Sequence, residues 1–385
     1  MGGAELIGKE EREAVSEVID RGVLFRYGFD EKRQNIFRVL EFETEFCRYM
    51  GCSYALGVSS GSAALRVALA ALRIQRGDEI ITQSFTFVAT VEAILEAGGV
   101  PVLVEVDKSL NLDPQDLEAK ITHKTRAIIP VHMLGVAARM DEIMAIAGKR
   151  GIPVLEDSCQ ACGSSYRGKK TGTLGAMGTY SFDYVKTLTT GEGGMVVTNE
   201  KRLYDLANYY HDHGHEHNPE LPRGEDSHSI TGFNYRMNEF QGAVGKVQLG
   251  RLDFVLAEQR RHKAEIKKAI GEIRGTEFRD LPDPAGEGGD TLAFFLPDAQ
   301  AARTFNEFLA KEKIDTKILP SAMNWHFVGN WNHIIPFCPP YQTNSWPRSE
   351  ALLKRAIALP ISVRMSGERI QRIIEGVHRA AKEVL

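Results

Sequence analysis

The sequence predicts an α/β protein, a mainly parallel sheet flanked by helices, followed by a smaller α+β C-terminal domain. Three observations carry this. Short apolar runs alternate with longer helical stretches between Tyr54 and Asp157. A strand, helix, strand rhythm requires crossover connections, which generate parallel sheets covered on both faces. A breaker-rich segment, LPDPAGEGGD (Leu281 to Asp290), then precedes a further strand and helix, and 385 residues are enough for one large and one small unit.

The first element is a helix with Val15, Val18 and Ile19 on one face, stopped near Gly22, and a second helix carries Val39, Phe42, Phe46 and Tyr49. The strands follow as YALGV (Tyr54 to Val58), EIITQ (Glu79 to Gln83), PVLVEV (Pro101 to Val106), AIIPVH (Ala127 to His132) and PVLED (Pro153 to Asp157). Two more are expected around Thr179 to Asp183 and Met195 to Thr198. Beyond Leu252 come a long charged helix (Arg260 to Ile273), a strand at TLAFFLP (Thr291 to Pro297) and a helix through Phe308. The expected division is therefore a large domain over 1–252, with its N-terminal helical segment, and a small domain over 253–385.

Composition narrows the function. Apolar residues make up 43% and charged residues 25%, and the formal charge of -4 supplies no attraction to nucleic acid or an anionic membrane. No run approaches a membrane span, and MGGAELIGKEEREAV lacks the basic and apolar parts of a signal peptide. Five irregularly spaced cysteines make no disulfide framework. A cytoplasmic protein is expected.

Ligands of such sheets collect beyond the carboxyl ends of the strands, where several chemical segments fall. Lys186 lies in SFDYVKTLTTGEGG (Ser181 to Gly194), between an apolar strand and a glycine run that permits close backbone approach. Its amine can form a Schiff base with an aldehyde, whereas an ordinary lysine is a solvated charge. Asp157 in VLEDSCQ ends a strand expected to be buried, so a cationic partner is expected, either an ordinary Arg or Lys or a protonated pyridine ring. Lysine and aspartate together are what pyridoxal phosphate needs. SSGSAAL (Ser59 to Leu65) is either a phosphate cup at a helix start or a turn shaped by small residues.

Other motifs read more plainly. HDHGHEH (His211 to His217) is taken as a substrate-lining or solvated loop, and no metal site is assigned. Cys159 and Cys162 form a CxxC without a second pair, which small-residue packing explains. NWHFVGNW (Asn324 to Trp331) suits either core or a sugar-binding wall.

Taken in order, SSGSAAL, GDEIITQSFTFVAT, VHMLG, EDSCQA, YSF, Lys186 with GEGG, and GFNYRMNEFQGA resemble the DegT/DnrJ/EryC1/StrS sugar aminotransferases over nearly the whole chain. The resemblance implies the PLP-dependent transferase fold type I and the cofactor pyridoxal 5'-phosphate. It implies that Lys186 anchors the cofactor and carries protons, that Asp157 pairs with the pyridinium nitrogen, and that Gln160 touches the ring oxygen. Phe87 would stack on the ring, and Gly61, Ser62 and Ser181 would bind the phosphate. Ser62 replaces the threonine commoner there and retains the hydroxyl. Asn234 would reach the phosphate site of a neighbouring subunit, which implies a homodimer with shared active sites.

Within the family, FRYGFD (Phe25 to Asp30), YSFDYVKT, DHGHEH, RGED with the following SH (Arg223 to His228) and NWHFVGNWNHI (Asn324 to Ile334) are similar to the members that make 8-amino-3,8-dideoxy-octulosonate, an amino form of the acidic sugar Kdo. That similarity implies amino transfer from an amino acid, glutamate, to a keto or aldehydo sugar such as 8-oxo-Kdo. Nucleotide-linked 3-keto or 4-keto hexoses are the alternative acceptors. Arg26, His213, His215, Arg223 and His326 are the expected sugar contacts. A sugar dehydratase with the same cofactor would carry histidine in place of Lys186, and a non-catalytic cofactor-binding protein would not need the full set.

Overall fold

The computed structural model describes residues 2–338 and 345–385. Helices α1 (Lys9–Arg21) and α2 (Arg38–Met50) end on Gly22 and Gly51 in left-handed conformation, the caps that their glycines favour. Strands β1 (Tyr54–Val58), β2 (Glu79–Gln83), β3 (Val100–Val104), β4 (Thr125–Ile129) and β5 (Leu155–Asp157) then alternate with helices α3 (Gly61–Ala71), α4 (Val88–Glu96), α5 (Pro114–Lys120) and α6 (Met140–Arg150). A two-stranded ribbon of β6 (Ser165–Tyr166) and β7 (Lys169–Lys170) follows, then β8 (Met177–Ser181) and β9 (Gly194–Thr198). The observed strands begin and end within a few residues of the apolar runs because each run is buried on both faces.

Hydrogen bonding gives two sheets, β1-β9-β8-β5 and β3-β2-β4. Parallel bridges Ile128 to Val154 and Val131 to Asp157 bring β4 beside β5, so the sheets form one wall in the order β3-β2-β4-β5-β8-β9-β1. Within that wall β9 runs antiparallel to both neighbours and the other strands share one direction. The carboxyl ends of β1, β2, β5 and β8 therefore lie on one edge.

Helices α7 (Lys201–Tyr210) and α8 (Glu239–Gly250) cover the wall with α1 and α2. Helix α8 approaches α2 closely, since a Cβ at Gly245 would lie 2.5 Å from the Phe42 ring. Helix α9 (Leu252–Ile270) starts earlier than the charged segment alone indicated, because Leu252, Val255 and Leu256 extend its apolar stripe into the core.

Strands β10 (Glu277–Phe278), β11 (Thr291–Phe295) and β12 (Ala356–Pro360) make an antiparallel sheet. Its inner face packs with α9, α10 (Ala299–Lys311) and α13 (Gly367–Val384), while the short helices α11 (Met323–His326) and α12 (Pro347–Lys354) complete the fold. The opposite face of β11 and β12 shares a core with the β2 and β3 side of the first wall through Phe85, Leu103, Val131, Ala293, Phe295, Leu319 and Trp331. No helix among the described residues is long and apolar enough to cross a membrane.

Phe305 is fully buried, with its ring 5.9 Å from that of Phe294 in the C-terminal core. Phe305→Ala should cost about 3–5 kcal/mol through lost burial and the cavity left behind. A urea midpoint equal to that of the parent chain would show that this core does not limit stability.

Candidate active site

The common edge of the wall opens into a cavity of about 540 Å³. Gly61, Ser62, Phe87, Asp157, Gln160, Ser181, Lys186 and His326 all line it, although they come from separate segments of the chain. The turn after β1 supplies Ser60, whose hydroxyl caps α3 by accepting from the Ala63 N–H at 3.0 Å. That leaves the first N–H groups of α3 facing the cavity edge without helical carbonyl partners. Gly61 is required there by packing, since a Cβ would lie 2.7 Å from Ser181 Cβ.

Asp157 is 3% exposed. One carboxylate oxygen accepts from Thr90 Oγ1–H at 2.8 Å and the other from the Cys159 N–H at 3.1 Å. Of the two cationic partners considered, the ordinary side chain is not observed: among the described residues no lysine or arginine forms an ion pair with Asp157. Strand β5 delivers it into a cavity and not against a cation-bearing helix. A buried carboxylate with neutral donors behind it and open space before it fits a protonated pyridine nitrogen.

Gln160 Oε1 accepts from the Leu134 N–H at 3.1 Å, which commits the oxygen and leaves the amide nitrogen as donor. Leu134 has φ 54 and ψ 41, a left-handed conformation held by the turn after β4. Phe87 is 42% exposed at the cavity wall, its ring centroid 5.4 Å from that of His326. Lys186 is half-buried, and its backbone carbonyl accepts from the Gly3 N–H at 3.2 Å. The donor set, a helix start with free N–H groups, a buried acid, an amine and a ring at the wall, fits pyridoxal phosphate.

His326 is buried, and Nδ1–H donates to the Ala322 carbonyl at 2.9 Å, leaving Nε2 as an acceptor. Burial first, then the charges of Lys186 and Lys317, push its pKa down to about 4, against the hydrogen bond to Ala322. It stands in the cavity wall as a neutral imidazole at neutral pH.

The other expected sugar contacts lie elsewhere. Arg26 lies outside the cavity lining: it is buried, pairs with Glu43 at 2.6 Å and donates to the Gly57 carbonyl at 3.2 Å. Arg223 pairs with the fully buried Asp212 at 2.6 Å, as does Arg236 at 2.5 Å. Burial raises the Asp212 pKa, but these two arginines outweigh it and hold it at about 2. His215 lies 3.3 Å from Asp226, and His213 is exposed at φ 57. Asn234 is exposed and bridges to Asp212, outside the cavity of its own chain.

Several lining residues escaped the sequence reading. Gly2, Thr90, Thr316 and Lys317 reach the cavity from the chain start, α4 and the segment before α11. Only Thr90, a polar residue that is buried among the apolar positions of VATVEAILE, stands out in its segment.

The model of the DegT/DnrJ/EryC1/StrS aminotransferase family matches residues 5–378. The chain belongs to this family. It is 33% identical over 375 residues to GDP-perosamine synthase of Escherichia coli O157:H7, covering 97% of this chain and 96% of that protein. It is 32% identical to the spore coat polysaccharide biosynthesis protein SpsC of Bacillus subtilis, covering 98% and 96%. Among solved structures, Helicobacter pylori PseC, an aminotransferase involved in pseudoaminic acid biosynthesis, superposes with a TM-score of 0.85 at 25% identity over 98% of this chain and 97% of that one. This DegT/DnrJ/EryC1/StrS member is thus a PLP-dependent sugar aminotransferase of fold type I.

The unfolded chain takes up a proton on this histidine near 6.5, whereas folded His326 resists it until about 4. The unfolded state therefore binds more protons between those values, and stability falls as pH drops through them. His326→Gln should flatten that fall by about 3 kcal/mol at its acid end. Urea unfolding at several pH values reads this, and an unchanged slope would assign the titration to another group.

Proposed function

We propose that this cavity is the aminotransferase active site, with Lys186 as cofactor anchor and proton carrier and Asp157 as partner of the ring nitrogen. The observation that carries this is their meeting in one cavity with the α3 helix start, although the two lie on different strands' ends. Pyridoxal phosphate, when bound, supplies an aldehyde that exchanges amines and a ring that takes up electron density. The negative charge of Asp157 holds a proton on the ring nitrogen. The N–H groups at Gly61 and Ser62, with the Ser181 hydroxyl, hold the phosphate. Gln160 donates to the ring oxygen, and Phe87 covers one ring face. Once free of the cofactor, the Lys186 amine would take the proton from the α-carbon of the amino donor, glutamate, and would deliver it to the cofactor carbon on the far side of the donor nitrogen.

The acceptor in this reading is 8-oxo-Kdo, giving 8-amino-3,8-dideoxy-octulosonate. Its support is that three of the segments similar to Kdo-aminating members gather into one cluster. Tyr27 Oη lies 2.9 Å from His211 Nε2, its ring centroid is 4.6 Å from that of His217, and Arg223 stands 5.4 Å over the same ring. A nucleotide-linked keto hexose is the second reading, favoured by the similarity to the GDP-perosamine synthase. His213, His215 and Arg223 are the candidate sugar contacts from this cluster, and His326 from the cavity wall. Residues 253–385 act as a small domain that supplies one wall of the site, and the cytoplasm is the proposed compartment, in keeping with the free thiols.

The working unit is a homodimer in which Asn234 serves the partner's phosphate site. Exposed apolar side chains beside both positions support this: Tyr184 and Val185 next to Lys186, and Phe233 next to Asn234.

Borohydride reduction of the holoenzyme should leave the cofactor attached to Lys186, and a label on another lysine would refute the anchor. Lys186→Ala should lower turnover by at least roughly 10²–10⁴-fold. Mixing inactive Lys186→Ala and Asn234→Ala chains should restore activity, because a hybrid dimer with shared sites contains one site with both native residues. No recovery after verified subunit exchange would place Asn234 outside the partner's site. The pyridoxamine form, offered 8-oxo-Kdo and nucleotide-linked 3-keto and 4-keto hexoses, should aminate the first, and amination of the nucleotide sugars alone would replace the Kdo reading with the second.

A further inference from the structure

The charges in the cavity wall are few. Among the described residues, its permanent cations are Lys186 and Lys317, with Asp157, Asp183, Glu192 and Asp290 as the acids. No arginine lines it. His326 adds no charge at neutral pH, because burial and these two lysines keep it neutral. Any amino-acid donor brings a carboxylate into this space, and an unpaired carboxylate in a confined cavity is costly. Lys186 is committed to the cofactor and to proton movement. That leaves Lys317.

Lys317 is placed with care. Its N–H donates to the Ala358 carbonyl at 2.8 Å, and the Ala358 N–H donates to the Leu319 carbonyl at 3.0 Å, so the segment rides along β12. The next residue, Ile318, sits at φ 67, a costly left-handed conformation for a β-branched side chain. The Lys317 ammonium bonds Asp290 Oδ2 and is 31% exposed. An ammonium has three N–H groups, so donors remain after that bond. Asp290 is steadied by more than Lys317: burial raises its pKa, but Lys317 and Lys263 together hold it below the ordinary range.

We propose that Lys317 is the carboxylate subsite of this cavity, holding the carboxylate of the amino-acid donor while Asp290 fixes the direction of its ammonium. The assignment rests on the cavity being the active site. It makes Lys317 a specificity-determining residue for anionic donors, and it places the donor's acid group on the wall formed by β12 and the segment before α11.

The test uses the holoenzyme and glutarate, an unreactive dicarboxylate, titrated by calorimetry beside glutamate kinetics. Lys317→Met should weaken glutarate binding and raise the glutamate KM by roughly 10–100-fold, the effect of one charge-assisted contact, and Lys317→Arg should recover most of both. Because Lys317→Met leaves Asp290 short of a partner, the double variant Lys317→Met/Asp290→Asn removes the pair together and should show the same losses at near-parental melting temperature. Glutarate affinity and glutamate KM within two-fold of the parent in the folded double variant would overturn the subsite. A parent holoenzyme that binds glutarate through Lys317 yet transfers no amino group from any amino acid would instead overturn the proposed active-site roles.

Discussion

Two adjacent carboxylates at the end of β5 set the geometry on which the site depends. Neighbouring strand residues point to opposite faces. Glu156, fully buried, turns behind the sheet and accepts from the N–H groups of Gly172, Leu174 and Gly175 at 2.8, 2.6 and 2.6 Å. It also accepts from His132 Nε2–H at 2.9 Å, because His132 Nδ1 is occupied in accepting from the Ala138 N–H. With Glu156 so tied, the strand cannot rotate or slip, and Asp157 must face the cavity. Slippage by one residue would exchange the two faces and strand both acids.

The polar groups elsewhere divide into committed and uncommitted sets. Around Asp212 the arginines are paired, Arg223 and Arg236 converging on one oxygen of the acid and Arg26 on Glu43, while the other Asp212 oxygen and Nε2 of His217 are buried without a hydrogen-bond partner among the described residues. Such a network is costly to bury unless its members find partners. In the cavity wall Lys317 and Asp290 are paired, but other groups stay open. Asp157 meets only neutral donors and the α3 helix start keeps free N–H groups.

The walls of the cavity come from two sheets whose strands, among the described residues, do not pair with each other. They are joined by the shared apolar core that includes Phe85, Val131, Phe295, Leu319 and Trp331, and by hydrogen bonds such as Thr86 N–H to the His326 carbonyl and Arg279 to the Ser109 and Met133 carbonyls. The C-terminal segments around Lys317 and His326 are thereby held opposite Lys186.

The α/β class, the strand positions within a few residues, and the meeting of Gly61, Ser62, Asp157, Gln160, Ser181 and Lys186 were all legible in the chain, because buried strands have a local apolar signature and ligands gather at their carboxyl ends. Thr90 as the neighbour of Asp157, the left-handed Leu134 that orients Gln160, and Lys317 across the cavity were not legible. Each acts through a partner distant in sequence, and neither periodicity nor composition encodes such a contact. Arg26 shows the same limit from the other side: its charge made it a fair sugar contact, and only the tertiary structure revealed Glu43 beside it. The sequence by itself determined which segments carry the chemistry. The tertiary structure decided which charges are already neutralised and which remain for a ligand, since desolvation and pairing depend on three-dimensional neighbours.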